Sequence, residues 1–182
     1  MTNSRAGAVH EAGHIVAAHF TGFSAEHSCL NAEGDGQTRM DYGELAKVAA
    51  PLMTMDICPE FRAFLDQLNR EPLYELGKKL CFILLAGAAA EAVSTAKGQR
   101  VRVEAEVSGP DLTRAKAISA YLGLDFDEIM KEVSVCVQEE HFAAAISEVT
   151  EAILASSIKA IDRHGISEAL IRSGFIDFLK QD

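Results

Sequence analysis

Two histidines near the start of the chain are spaced so that a single metal ion could contact both. Residues 10–14 read HEAGH, which fits the pattern H-E-x-x-H. On an α-helix, residues four positions apart lie on one face, so the imidazoles of His10 and His14 can reach the same ion. Two histidines and one further protein ligand, with water in the fourth position, are typical of catalytic zinc. The spacing therefore predicts a Zn²⁺ site on the first helix.

Glu11 lies next to His10 on the same predicted helix, where its carboxylate can face a metal-bound water without binding the metal. Zinc lowers the pKa of its bound water from about 15.7 to roughly 7 and polarises a carbonyl group. A neighbouring carboxylate can take the water proton and pass it to the leaving amine. We therefore predict that Glu11 is the general base of a peptide-hydrolysing enzyme.

The third metal ligand is not settled by spacing. Glu91 ends a long apolar run, where an unpartnered carboxylate is costly. Asp111 lies at a predicted helix start, where an acidic residue is also favoured by capping and by the helix dipole. Both carboxylates remain candidates on this reasoning. The other histidines are expected to be surface residues or core residues with hydrogen-bond partners: His19, His27, His141 and His164.

The elements that must position these residues are predicted to be mainly helical. Apolar residues recur at helical spacing over residues 4–20, and Thr21-Gly22 can end that helix. Residues 24–43 are rich in glycine and predict a loop or a short hairpin. Further helical patterns cover residues 44–55, 60–69, 72–95, 110–123 and 125–164, and Gly165 is expected to end the last of these. The rest of the chain predicts one final helix, or a pair of helices divided at Gly174. The fold class is therefore mainly α, a helical zinc-metallopeptidase domain with a minor β-hairpin or short strands.

The organisation along the chain indicates one domain. Residues 80–90 form the longest apolar run and predict a buried central helix, too short to cross a bilayer. Residues 97–107 alternate between polar and apolar side chains, as in a strand or an exposed excursion. We expect a single domain over residues 1–182, with metal-site helices and loops in residues 1–123 and a helical part in residues 124–182.

Charge and cysteine content limit the class of partner. The formal net charge of −10 argues against nucleic-acid binding, because phosphate recognition needs clustered Lys and Arg. The four cysteines lie far apart, which indicates reduced and mostly buried thiols. The first residues lack the apolar core of a signal peptide. We therefore expect a cytoplasmic protein with no nucleic-acid or membrane partner.

Three blocks in this order resemble the peptidase domain of the FtsH family of zinc proteases: AVHEAGHIVAAH (residues 8–19), LLAGAAAEAV (residues 84–93) and SGPDLTRAKAISAYLG (residues 108–123). The resemblance implies that His10 and His14 bind zinc, that Asp111 is the third ligand, and that Glu11 is the base. It also implies that Glu91 orients a ligating histidine, although Glu91 stays the alternative ligand.

The chain departs from the family pattern in several places. No G-x-x-x-x-G-K-[ST] motif of an ATPase occurs, Ala88 replaces an arginine of the second block, and residues 99–107 look like an insertion. We therefore expect an ATP-independent zinc peptidase that acts on unfolded protein or peptides. Its possible partners are a separate unfoldase and further copies of the same chain in a homo-oligomer. The alternative is a catalytically silent, zinc-binding helical module with an interaction or regulatory role.

Overall fold

A computed structural model describes residues 2–54, 58–96 and 109–181 of the chain. The fold is mainly α with a small three-stranded sheet. In chain order the elements are α1 (Thr2–Phe20), β1 (Ser24–Leu30), β2 (Gly36–Asp41), a 3₁₀ turn (Gly43–Leu45), α2 (Ala46–Thr54), α3 (Pro59–Leu65), α4 (Arg70–Thr95), α5 (Pro110–Leu122), α6 (Phe126–Cys136), α7 (Glu140–Ala155), β3 (Ala160–Asp162), α8 (Arg163–Arg172) and α9 (Phe175–Phe178). The prediction of a mainly α fold with minor strands is confirmed. The alternating segment of residues 97–107 lies outside the described ranges.

Helix α4 is the buried helix that the apolar run predicts. Asn69 begins it, because its side-chain oxygen accepts a hydrogen bond from the backbone N–H of Glu71. Every residue from Leu80 to Ala90 is buried. Such a helix needs neighbours on all sides, and α1, α5 and α6 pack against it.

Helix α1 crosses α4 at unusually short range, because glycine lies on both sides of the crossing. A Cβ atom added to Gly13 would lie 2.6 Å from the carbonyl oxygen of Ala86 and 2.9 Å from the Cα atom of Gly87. These distances are shorter than real Cβ contacts allow. The absence of a side chain at Gly13 therefore lets the two backbones meet beside the motif histidines.

Alanine in place of Gly13 is expected to lower the free energy of unfolding by about 1–3 kcal/mol, because the new methyl group meets backbone atoms that cannot rotate away. This cost opposes the roughly 1 kcal/mol by which alanine is favoured over glycine inside a helix. Urea unfolding measures the difference. The matched control is Gly77→Ala on α4, whose Cβ would meet the movable tip of Leu122. Equal unfolding midpoints for the two variants would contradict the close crossing.

The glycine-rich segment after α1 forms a hairpin, which confirms one of the two predicted alternatives. β1 pairs antiparallel with β2 on one side and with β3 on the other, so the strand order is β2-β1-β3. Ser28 lies opposite Thr38 in the register of the hairpin. Both strands of the hairpin contact α1. Among the described residues β2 is at an edge of this sheet, and it lies beside the helix that carries HEAGH.

The prediction of one nearly unbroken helix over residues 125–164, ended by Gly165, is wrong. Glu139 starts α7 by accepting hydrogen bonds from two backbone N–H groups, and α7 ends at Ala155. The chain then pairs with β1 as β3 before α8 begins. Gly165 lies inside α8, where its N–H donates to the carboxylate of Asp162. Apolar periodicity continues across both breaks and cannot reveal them, whereas the two capping carboxylates mark them.

Gly174 divides the last two helices as predicted. Its φ of 76° is a left-handed conformation that glycine adopts without strain, between the end of α8 and the start of α9.

The sequence predicts that no helix crosses a membrane and that most of the thiols are buried. Across residues 2–54, 58–96 and 109–181, none of the helices has both the length and the apolar character needed to cross a bilayer. All four cysteines are free thiols. Only Cys81 is fully buried, and Cys58 is exposed, so the prediction that most of them are buried is wrong. Cys58 is exposed because it caps α3, where its sulfur accepts a hydrogen bond from Phe61 N.

Candidate metal centre

Three helices meet where the motif histidines lie. His10 and His14 are one turn apart on α1 and face α4. A Cβ atom at Gly87 of α4 would lie 2.6 Å from both Cε1 and Nε2 of His14, and 3.0 Å from Cδ2 of His10. The rings therefore occupy the space that a side chain at Gly87 would fill. The first turn of α5 supplies Asp111 to the same place.

The two histidines converge on one carboxylate oxygen. His10 Nε2 lies 3.2 Å from Asp111 Oδ2, and His14 Nε2 lies 3.2 Å from the same oxygen. Within the described part of the chain, these three residues form a group whose ligand atoms all lie within 4.8 Å of one another. The chain therefore contains a His/His/Asp group at metal-binding distance.

The outer nitrogen of each ring, Nδ1, faces away from Asp111 and has a hydrogen-bond acceptor beside it. His14 Nδ1 donates to the backbone carbonyl of Ile83 at 2.7 Å, and His10 Nδ1 lies 3.3 Å from Glu91 Oε2. A neutral imidazole that donates through Nδ1 carries its lone pair on Nε2. Both lone pairs then point at a negatively charged oxygen of Asp111, which is repulsive unless a proton or a cation lies between them. Partners on the outer nitrogens are also what metal-ligating histidines normally have.

Glu91 therefore lies outside the cluster. It contacts the ring nitrogen of His10 opposite to the one that faces Asp111. Its side chain is 45% exposed, compared with 17% for Asp111. Of the two carboxylates that the sequence left open, Asp111 shares the converging geometry and Glu91 orients one of the rings.

Asp111 is placed by the way α5 begins. Gly109 has a φ of 100°, which only glycine adopts readily, and Pro110 follows in the first turn, where its missing N–H costs nothing. Arg114, one turn further on, contacts the second oxygen of Asp111, Oδ1, at 3.3 Å. One carboxylate oxygen is thus engaged by arginine while the other faces the histidines.

The charges of the cluster shift the pKa values of its members in the metal-free protein. Burial lowers the pKa of His14, but the hydrogen bond to Asp111 and the negative charges of Glu11 and Asp111 outweigh burial and raise it overall. Burial raises the pKa of Asp111, but hydrogen bonds from His10 and His14, together with their charge, hold it well below its usual range. In the metal-free protein His14 therefore binds a proton more readily than a free imidazole does.

Added Zn²⁺ is expected to displace this proton, so zinc affinity should weaken as pH falls through the raised pKa of His14. Calorimetric titration in buffers of different ionisation enthalpy counts the protons released. The count should be higher at about pH 6 than at about pH 8, because more His14 is protonated in the metal-free state. His164→Gln changes an exposed histidine outside the cluster and should leave the count unchanged. Equal affinity and no proton release at both pH values would contradict the assignment.

Glu11 lies beside the cluster and is almost fully buried, with 4% of its surface exposed. Thr38 of β2 donates a hydrogen bond from Oγ1 to Glu11 Oε2 at 2.5 Å. Gly36 leaves room for the carboxylate, because a Cβ there would lie 2.2 Å from Glu11 Cγ. The edge strand thus covers one side of the glutamate. Sequence reasoning missed the roles of Gly36 and Thr38, since nothing in a glycine-rich segment indicates which helix it will cover.

The cluster opens into a cleft of about 920 Å³. Residues of α1 and β2 line the cleft, and so do Ala50, Met53 and Thr54 of α2. Tyr42, just after β2, also lines the cleft, and burial raises its pKa to about 12. An extended chain lying along β2 would therefore pass Glu11 and the three converging residues.

The other four histidines lie outside the cluster. His27, His141 and His164 are exposed, as expected. His19 differs from the expectation, because its Nε2 is buried and has no hydrogen-bond partner among the described residues. Burial, reinforced by the charge of Arg163, lowers the pKa of His19. His19 is therefore a neutral, half-buried residue with an unsatisfied nitrogen.

Known protein families and curated proteins offer no relative of this chain. No protein-family model matches the chain, and no curated protein is significantly similar to it. The conclusions about function accordingly rest on the residues of the cluster and on their arrangement.

Proposed function

We propose that this chain is a zinc-dependent metallopeptidase that hydrolyses unfolded protein segments or peptides without an ATPase module of its own. The observation that carries the proposal is the convergence of His10 Nε2 and His14 Nε2 on Asp111 Oδ2, with the carboxylate of Glu11 alongside. The resemblance of the three sequence blocks to the FtsH peptidase domain supports the same activity. A cytoplasmic location belongs to this proposal and is supported by four unpaired thiols.

The spacing of the ligand atoms supports zinc as the metal. Zinc bonds to nitrogen and oxygen of about 2.0–2.1 Å, at tetrahedral angles, place neighbouring ligand atoms about 3.3 Å apart. The two nitrogen-to-oxygen distances in the cluster are both 3.2 Å. Two imidazoles and one carboxylate are also ligand types that suit zinc. These two distances match those expected around zinc, and Asp111 is the proposed third ligand.

The residues around the cluster have different roles in the proposed hydrolysis. When bound, zinc would polarise the scissile carbonyl and acidify a water molecule. Glu11 would take one proton from the attacking water as its oxygen bonds to the carbonyl carbon, and would give the proton to the amide nitrogen as the C–N bond breaks. Glu91 and the carbonyl of Ile83 hold the two imidazoles in orientation.

The edge strand supports an extended substrate. Peptides often bind by adding a strand to an exposed sheet edge, where backbone hydrogen bonds give affinity regardless of side chains. Of the strands in the described ranges, β2 is at such an edge and lines the cleft beside Glu11. Unfolded chains and peptides offer extended segments most readily, so they are the proposed substrates.

The test is cleavage of a reduced, unfolded protein by zinc-loaded enzyme, with the same protein in its folded form as the control substrate. We expect cleavage of the unfolded form alone, loss of cleavage after chelation, recovery with added zinc, and no effect of ATP. Zinc-loaded protein that cleaves neither this substrate nor a mixture of random peptides would contradict the proposal. The result would then favour a silent zinc-binding module.

A further inference from the structure

The hairpin holds the carboxylate of Glu11 from one face of β2. Gly36 and Thr38 are two residues apart, so they lie on the same face of the strand. Gly36 provides the space against Glu11 Cγ, and Thr38 provides the hydroxyl that donates to Glu11 Oε2. The contact joins residues 27 positions apart in sequence. Helix α1 alone therefore does not fix the direction of this carboxylate.

The hydroxyl of Thr38 is itself fixed by a second hydroxyl. Ser28 Oγ lies 2.9 Å from Thr38 Oγ1 across the hairpin, and Ser28 is fully buried. A threonine hydroxyl has one hydrogen, and an ionised carboxylate can only accept. The Thr38 hydroxyl is therefore in contact with both the carboxylate of Glu11 and the hydroxyl of Ser28. Ser28 lies beside the hydroxyl that engages the base and limits its movement.

We infer that Thr38 is a positioning residue for the catalytic base, held in place by Ser28. The inference rests on the proposed peptidase function and assigns a role that the H-E-x-x-H motif does not contain. Thr38 engages Oε2, which leaves Oε1 of Glu11 to take the proton from water. Without the hydroxyl, the carboxylate can rotate about its own side-chain bonds and spends less time in the productive orientation. Misplacement of a reacting group by about 1 Å can cost on the order of 100-fold in rate.

The test compares Thr38→Val with Thr38→Ser in the zinc-loaded full chain, on a peptide that the wild-type protein cleaves. Valine keeps the shape of threonine and removes the hydroxyl, so kcat should fall roughly 10- to 100-fold while KM stays within about twofold. Serine keeps the hydroxyl and should restore kcat to within a few fold of wild type. Zinc content should be the same in all three proteins, because Thr38 does not contact the ligand atoms.

Further variants separate this role from a merely structural one. Ser28→Ala removes the hydroxyl that contacts Thr38 and should lower kcat in the same direction by a smaller factor. Thr95→Val is the matched control, because among the described residues this hydroxyl donates to a backbone carbonyl of its own helix, that of Glu91, and it should leave kcat unchanged. If Thr38→Val does not fold, Thr38→Ala takes its place in the same comparison with Thr38→Ser.

Three results would overturn the inference, and they are distinguishable. A folded, zinc-loaded Thr38→Val protein with wild-type kcat would show that the hydroxyl does not position the base, while the peptidase function stands. A wild-type protein that binds zinc and cleaves nothing would remove both the peptidase function and the positioning role. A fall in kcat that serine does not restore would also overturn it, since the hydroxyl would then not be the cause.

Discussion

Replacing Glu11 by glutamine is expected to leave zinc bound and to abolish peptide hydrolysis. Glutamine has nearly the shape of glutamate, and its side-chain oxygen can still accept the hydrogen bond from Thr38. The amide cannot take a proton from water, however, so the general-base contribution is lost. Such contributions are typically about 10²- to 10⁴-fold in rate. The variant should therefore retain the zinc content of the wild type and lose activity by at least the lower of these factors.

Single-turnover cleavage and metal analysis of the same preparation test this prediction together. Glu140→Gln makes the same chemical change at an exposed position on α7 and should keep both zinc and activity. Loss of zinc from Glu11→Gln would show that the carboxylate contributes to metal binding, which contradicts the division of roles. Full activity in the variant would show that another group accepts the proton.

Replacing Gly87 by alanine is expected to weaken zinc binding by on the order of 100-fold, although Gly87 binds nothing itself. The new methyl group would lie 2.6 Å from Cε1 and Nε2 of His14. The ring cannot retreat without losing the hydrogen bond between its Nδ1 and the carbonyl of Ile83. His14 Nε2 must therefore leave its position 3.2 Å from Asp111 Oδ2, and the three ligand atoms no longer converge.

Competition with a zinc-chelating dye measures the affinity, and circular dichroism confirms that the variant is folded. Gly77→Ala adds the same methyl group to the same helix, where it meets the side-chain tips of Leu122 and Leu124 rather than the cluster. This control should bind zinc as the wild type does. Wild-type affinity in Gly87→Ala would mean that the rings are not held against α4 in the way the structure places them.

The local parts of the site could be predicted from sequence, because they depend on one helix. The spacing of His10 and His14 is a property of the helical repeat, and it places both rings on one face without any tertiary information. On this basis the third ligand could only be narrowed to one of two carboxylates, Asp111 or Glu91. Asp111 lies on a different helix, about 100 residues along the chain from the histidines. Its contact with both rings depends on the packing of α5 against α4, which spacing does not encode.

The parts that sequence reasoning missed are all long-range or set by caps. Thr38 and Ser28 become relevant to Glu11 only through the hairpin register and through packing of the hairpin on α1. The break between α7 and α8 is set by pairing of β3 with β1 and by the cap at Asp162, while the apolar spacing continues unchanged. Apolar periodicity shows which face of a helix or strand is buried, but it does not show which faces pack against each other.

The most direct test of the central claim is the zinc content of the purified protein, measured beside Asp111→Ala and Glu91→Ala under the same mild chelation. The proposed site predicts close to one zinc per wild-type chain, nearly complete loss in Asp111→Ala, and retention with roughly tenfold weaker affinity in Glu91→Ala, which contacts His10 only on its outer nitrogen. Wild-type protein that stays folded, contains no zinc and takes up none when it is added would contradict the account.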